Sequence, residues 1–393
     1  MIAPTATHIP LNSLILSGIS FAGNKNAIRD YERNWSKYLG IRYSFAMTTG
    51  RSCLYIILEI LKAINSRKEV IIPANICESV YQTVKRAGLR PVLVDVDLNS
   101  LNIEPDYIQN VINNNTLAVI LAYLYGIPSD VVTVKKICKK QGVYLIEDVA
   151  QASGNFLSGQ KLGTFGDFAF FSFGKSKPFT TINGGLLTTN NEKYAKLITK
   201  YINDHVKDRS ILYDLFFLVK IIIYKFSIMP VFYGLLHKIP LSLVGTGGTG
   251  KFQLAKLSKI QALLGNYLLS SLNKMNVLRR KKANYLITNL KNEKNLTIPK
   301  KIVDYNPFLM RLPIIIKSSA GKEKIYKELL KNGIKASYSP NSLKNACIEY
   351  ETNLDNYENS KYLKDHLLTI PIHYYLDEKG LKSIITILKT TVI

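Results

Sequence analysis

A chain of 393 residues, 47% of them hydrophobic, can bury a sizeable core and has the length for two or three domains. Its four cysteines (Cys53, Cys77, Cys138 and Cys347) form no CxxC pair and no Cys/His cluster, which excludes a zinc site and a disulfide framework and fits a reducing cytoplasm. The formal net charge of +24 asks for an anionic partner, but the lysines are scattered and no basic stripe is interleaved with aromatics; nucleic acid is set aside, leaving a nucleotide-linked substrate, lipid head groups or a merely solvated surface.

Residues 1–23 have no basic leader and are interrupted by Pro4 and Pro10, so no signal peptide is expected and residues 1–25 read as an irregular arm. Residues 26–38 are predicted helical, with Ile28, Tyr31 and Trp35 on one face. Short apolar strands then alternate with helices. Strands are predicted at 43–48, 70–72, 91–96, 117–123, 143–146, 168–172 and 186–189, and helices at 51–64, 78–87 and 131–140. Strands joined by helical crossovers imply an α/β fold, a mostly parallel sheet with helices on both faces.

Residues 211–244 break the pattern with an apolar, aromatic run. Its longest uncharged piece, 226–236, contains Pro230 and falls short of the roughly 18–20 apolar residues a spanning helix needs. Two readings stand: helices buried in the core or in a subunit interface, or an element lying in a membrane surface. A glycine-rich hinge at 245–250 then leads to helices at 258–290, 322–331 and 378–388 and a strand at 310–316. The expected division is an arm (1–25), a large domain (26–245) and a smaller C-terminal α/β domain (246–393).

The chemistry concentrates at three places. Thr48-Thr49-Gly50-Arg51-Ser52 joins a strand to a helix, where backbone N–H groups and the positive helix end face an anion. Gly50 lets a phosphate approach and Arg51 could add a charged fork, although Thr49 as a plain N-cap explains the same residues. Asp148 ends an apolar strand at the sheet edge where α/β proteins bind ligands. There it could hold a pyridinium nitrogen protonated, or merely cap the next element. Lys177 follows the next strand in Phe171-Ser172-Phe173-Gly174-Lys175-Ser176-Lys177, placed to form a Schiff base with pyridoxal phosphate (PLP); Lys175 competes with it, and Ser172 could donate to the phosphate. Gly174-Lys175-Ser176 is not a P-loop, because Ala169 stands where the first glycine is required.

Taken together, Thr49-Gly50, Pro73, residues 91–97, Tyr125-Gly126-Ile127-Pro128, Glu147-Asp148-Val149-Ala150-Gln151, Phe171-Ser172-Phe173 with Lys177, Gly184-Gly185 and Leu368–His373 resemble the DegT/StrS sugar aminotransferases. That resemblance implies the aspartate aminotransferase fold (fold type I) and PLP. It matches Lys177 to the cofactor-bound lysine, Asp148 to the pyridinium partner, Gln151 to the residue beside the phenolic oxygen, and Ser172, Gly50 and Arg51 to phosphate contacts. It further implies a homodimer that aminates a nucleotide-linked keto-sugar, with glutamate as usual donor, for a surface polysaccharide. A regulatory, membrane-associated relative without turnover, and an aminotransferase for a non-sugar keto compound, are the rival readings. The chain departs from the family pattern at Cys77, where an aromatic ring usually covers the cofactor, at Ser337-Tyr338 in place of His-Tyr, and near residues 251–254, where Asn-x-Arg is absent. Lys177 itself sets the chain apart from the branch that carries histidine there and dehydrates.

Overall fold

The computed structural model describes residues 1–236, 253–338 and 356–391. A seven-stranded sheet is built from β1 (Tyr43–Met47), β2 (Glu69–Pro73), β3 (Arg90–Val94), β4 (Thr116–Ala122), β5 (Tyr144–Asp148), β8 (Phe168–Ser172) and β9 (Gly185–Thr189); the short hairpin β6 (Phe156–Leu157) and β7 (Gln160–Lys161) stands apart. The order across the large sheet is β1-β9-β8-β5-β4-β2-β3. The pairs from β8 to β3 are all parallel, whereas β9 runs antiparallel to both β8 and β1.

Successive strand residues feed opposite cores. Val70 and Ile72 of β2 join one apolar cluster while Ile71 joins the other, and β4 divides in the same way. A strand covered on both faces reads as a continuous apolar run, which is why β4 is buried throughout. The helices of this part are α1 (Leu11–Gly23), α2 (Ala27–Leu39), α3 (Gly50–Ile64), α4 (Glu78–Arg86), α5 (Pro105–Val111), α6 (Val131–Gln141), α7 (Glu192–His205), α8 (Ile211–Ser227), α9 (Pro230–Leu236), α10 (Lys259–Leu269) and α11 (Leu272–Leu290). Trp35 of α2, fully buried, stacks on Phe173 at 5.1 Å and meets Phe179 edge-on at 5.2 Å, so an aromatic cluster braces the chain on either side of Lys177.

A second, antiparallel sheet, β10 (Leu296–Thr297), β11 (Leu312–Ile316), β13 (Leu367–Ile370) and β12 (Ser337–Tyr338) in that order, carries the helices Ser319–Lys331, Glu358–His366 and Glu378–Thr390. Asp95, just past β3, ties the two sheets by accepting from the backbone N–H groups of Asn359 and Ser360, both at 2.9 Å, at the start of helix Glu358–His366. His373 is buried and meets the Ala3 carbonyl at 2.7 Å, fastening the first residues to the last strand's exit; burial lowers its pKa to about 4.

Three expectations change. Residues 11–23 form a helix, because Pro10 precedes its first turn rather than interrupting it, and Leu14 and Ser17 are buried on one side. The helix expected over 258–290 breaks at Ser270-Ser271 into α10 and α11. The apolar segment is not swallowed by the core: α8 buries only Asp214, Phe217, Ile221 and Tyr224 and turns its opposite stripe outward. No helix among the described residues is long and apolar enough to cross a membrane. The hinge at 245–250 and Cys347 lie outside the described residues.

Candidate active site

The C-terminal edge of the sheet gathers the chemistry. Asp148 ends β5 with only 7% of its surface exposed, paired with Ala122 of β4 and Phe170 of β8. Its Oδ1 accepts the Ala150 N–H at 2.9 Å. Burial raises its pKa to about 6, against the opposing pull of that hydrogen bond and of the Lys177 charge. The neighbouring Glu147 points to the other face of the strand, where its carboxylate receives Tyr123 OH at 2.6 Å and the N–H groups of Gly163, Phe165 and Gly166, each at 2.7 Å. Strand alternation thus separates a fully satisfied structural carboxylate from one left with a single partner among the described residues.

Lys177 lies in a turn after β8, half-buried. A Cβ added to Gly174 would sit 3.8 Å from Ser172 Oγ and 3.9 Å from Lys177 Cγ, so these two side chains share one space. The turn's carbonyls are held from three distant places. Thr7 Oγ1 donates to Lys177 O, Arg279 Nη2 to Pro178 O and Tyr224 OH to Lys175 O, each at 2.8 Å. Arg279 is buried, which lowers its pKa to about 10, and its Nη1 donates to the Asn276 side-chain oxygen at 2.9 Å. No helix follows Gly174-Lys175-Ser176, in keeping with the rejected P-loop.

Helix α3 aims its N-terminus at the same place. Thr49 caps it by accepting the Ser52 N–H at 3.0 Å, Gly50 is its first residue and Arg51 its second. A Cβ on Gly50 would approach Phe171 O and Ser172 Cβ, both at 3.0 Å; one on Gly185 would lie 2.5 Å from the Thr49 backbone. Only glycine permits this contact of loop on strand, and that close approach puts Gly50 beside Ser172.

Gln151 is oriented by its oxygen, which accepts the Tyr125 N–H at 2.9 Å and leaves the amide NH2 group as the donor end. Tyr125 has φ +60°, a left-handed backbone unusual for an aromatic residue and a strain typical of functional turns. Cys77 is exposed at the start of α4, its Sγ 3.2 Å from Ser79 Oγ. Ser337 and Tyr338 form β12, and Tyr338 OH donates to Glu323 at 3.0 Å.

Sequence reasoning passed over Asn75. It sits just past the end of β2 with 5% exposure and neither amide atom hydrogen-bonded. An orphaned buried amide at the ligand edge of a sheet is costly unless a ligand answers it. Thr7, Tyr224 and Arg279 were passed over too; only their positions in space connect them to Lys177.

The residues present fit PLP: a buried carboxylate for the ring nitrogen, a helix N-terminus with Gly50 and Ser172 for the phosphate, and a lysine between them. The pattern of the DegT/DnrJ/EryC1/StrS aminotransferase family matches residues 12–389. The chain belongs to this family. PLP is therefore its cofactor. Over 182 residues it is 31% identical to a GDP-perosamine synthase of Vibrio cholerae, spanning 46% of this chain and 49% of that one. Over 187 residues it is 33% identical to the dTDP-3-amino-3,6-dideoxy-alpha-D-galactopyranose transaminase of Aneurinibacillus thermoaerophilus, 47% of this chain and 51% of the other. The match thus spans about half the length of these curated relatives. A putative sugar aminotransferase of Streptococcus pneumoniae in its PLP form shares the fold, with a TM-score of 0.81 at 18% identity, covering 100% of this chain and 99% of that chain.

Proposed function

We propose that this chain is a PLP-dependent aminotransferase that converts a nucleotide-linked keto-sugar to an amino sugar in the cytoplasm, with glutamate as donor and a surface polysaccharide as destination. The observation that carries the reading is the convergence of Asp148, Lys177, Ser172 and Gly50 at one sheet edge. Relatives named for GDP- and dTDP-linked sugars support the substrate class.

Bound PLP supplies an electrophilic carbon and an electron-withdrawing ring. The protein's part is to make that ring work. The Asp148 carboxylate, ionised at neutral pH, pairs with a cationic nitrogen and fixes its charge. Gly50 and Arg51 at the α3 N-terminus and Ser172 Oγ hold the phosphate dianion. The Gln151 NH2 group, with its oxygen held by the Tyr125 N–H, would be the donor available to the ring's phenolic oxygen. Lys177 Nζ, its backbone clamped, takes a proton from the substrate carbon and returns one to the cofactor side. Cys77 stands where an aromatic cover is usual and offers no stacking surface. The family's homodimer would complete the site from a second subunit.

An absorbance scan tests this directly. Wild-type protein with added PLP should show a visible band that disappears in Lys177→Ala and is bleached by glutamate. A wild type that stays colourless with PLP refutes the cofactor role of these residues; a band that glutamate leaves intact refutes the donor.

A further inference from the structure

The outward face of α8 has no partner among the described residues. Leu212, Leu215, Phe216, Val219, Ile223 and Phe226 are all exposed there. Leu11, Ile15 and Ile19 of α1 and Val231 and Leu235 of α9 are exposed as well. The three helices are stitched into one surface. Phe226 meets Phe232 edge-on at 6.0 Å, Lys225 Nζ donates to Ile9 O at 2.8 Å just ahead of α1, and α1 and α8 both pack on α10. So many large apolar side chains exposed on neighbouring helices exceed the scattered single hydrophobics usual on a monomer's surface.

The charges around this face select its occupant. Asp214 is the sole acidic residue in the three helices, and it is buried with its carboxylate on the Ile260 N–H at 2.9 Å. The rim is cationic: Lys25 and Lys220 are exposed, with Lys220 over the Phe216 ring at 4.7 Å; Lys259 over Phe21 at 4.8 Å and Arg209 over Tyr213 at 4.3 Å continue it. A second copy docking through the same face in two-fold symmetry would set most of these cations against cations, because the rim carboxylates Asp208 and Asp30 are fewer and already face Lys256 and Arg33. A bilayer carrying anionic head groups supplies both the apolar layer and the opposite charge. The buried stripe of α8 keeps the helix lying along the body of the protein, in the plane of a surface and not across it.

We propose that α1, α8 and α9 form a monotopic face that seats this protein on an anionic phospholipid membrane. The inference goes beyond the proposed reaction and does not depend on it. The test is co-sedimentation of the full chain with vesicles of phosphatidylglycerol and phosphatidylcholine, compared with phosphatidylcholine alone. Wild type should pellet with the anionic vesicles, less so as salt is raised. The double variant Leu215→Glu/Ile223→Glu, both exposed positions, should bind at least about tenfold more weakly while keeping the wild-type melting temperature. Lys177→Ala should bind as wild type does, which separates this claim from the catalytic one. Absence of binding to anionic vesicles overturns the proposal, as does binding indifferent to the double variant. A wild-type dimer that the double variant splits, without lipid binding, assigns the face to a second copy instead.

Discussion

Asp148→Asn isolates what the site demands of the fold. Burial lifts the Asp148 pKa from 3.8 to about 6, so its ionised form is disfavoured in the folded apo-protein. The shift of about two units corresponds to about 3 kcal/mol at neutral pH. The sign follows from proton counting. A carboxyl with a raised folded-state pKa binds protons more tightly when folded, so it lowers stability as pH rises from about 4 through 6 and leaves a constant penalty above that. Asparagine keeps an oxygen for the Ala150 N–H and carries no charge. The apo variant should therefore be more stable than wild type at pH 7.5 by up to about 3 kcal/mol, the advantage shrinking by roughly 1 kcal/mol at pH 5. PLP should reverse the ranking, because a cation on the ring nitrogen repays an ionised partner and not an amide. Urea unfolding of both apo-proteins at the two pH values, then with PLP, measures this. An apo variant equal to or less stable than wild type, with a gap that does not move with pH, would show that Asp148 is not a carboxylate held under strain for a cationic ligand.

Other expectations follow from single contacts. Lys177→Ala should abolish transamination and the visible band while leaving the melting temperature within a few degrees, read by absorbance and calorimetry. Gly185→Ala would drive a Cβ to 2.5 Å from the Thr49 backbone, so expression or stability should fall sharply, whereas Gly159→Ala, with nothing within 4 Å but φ +82°, should cost only about 1 kcal/mol. Tyr123→Phe removes one of four donors to the buried Glu147 and should destabilise by about 1–3 kcal/mol without altering KM, measured by denaturation and steady-state kinetics.

The strand series was legible because the central parallel strands β2 and β4 are covered on both faces and so read as apolar runs, bounded by helices with a clear 3.6-residue period. The fold's polar edge was legible for the same reason: Asp148 is the first charged side chain on its face after Ile146, and Gly50 opens a helix straight from β1. Helix α1 was missed because it carries no charge and has few buried apolar side chains to set a period; it is positioned by α10, a contact between distant segments. The strand at 186–189 was read, but its antiparallel direction was not, since direction is set by the loop 173–184 and its tie of Thr49 to Gly184, not by the residues of the strand. Asn75 carried no signal either, because a single asparagine after a strand reads as a turn residue until its burial is known.

The turn around Lys177 shows most plainly what one-dimensional reading leaves out. Its carbonyls are gripped by Thr7, Tyr224 and Arg279, which lie between 49 and 170 residues from the carbonyls they hold and share no pattern with the turn. Thr7→Val keeps the shape of the buried side chain and deletes the hydroxyl that donates to Lys177 O at 2.8 Å and, more weakly, to Pro178 O at 3.5 Å. Leaving that carbonyl without its donor costs about 1–3 kcal/mol where water cannot replace it. If Thr7 positions the lysine, that strain appears in the chemical step: kcat should fall several-fold while KM and the affinity for PLP stay near wild type. Conversion of a bound amino donor in single-turnover absorbance measurements reads the step directly. A drop in melting temperature with kcat unchanged would reduce Thr7 to a structural tie between the first residues and the sheet edge. The expectation of a kinetic effect rests on a geometric point: the bond from Thr7 ends on the carbonyl of the lysine itself, whereas those from Tyr224 and Arg279 end on residues either side of it.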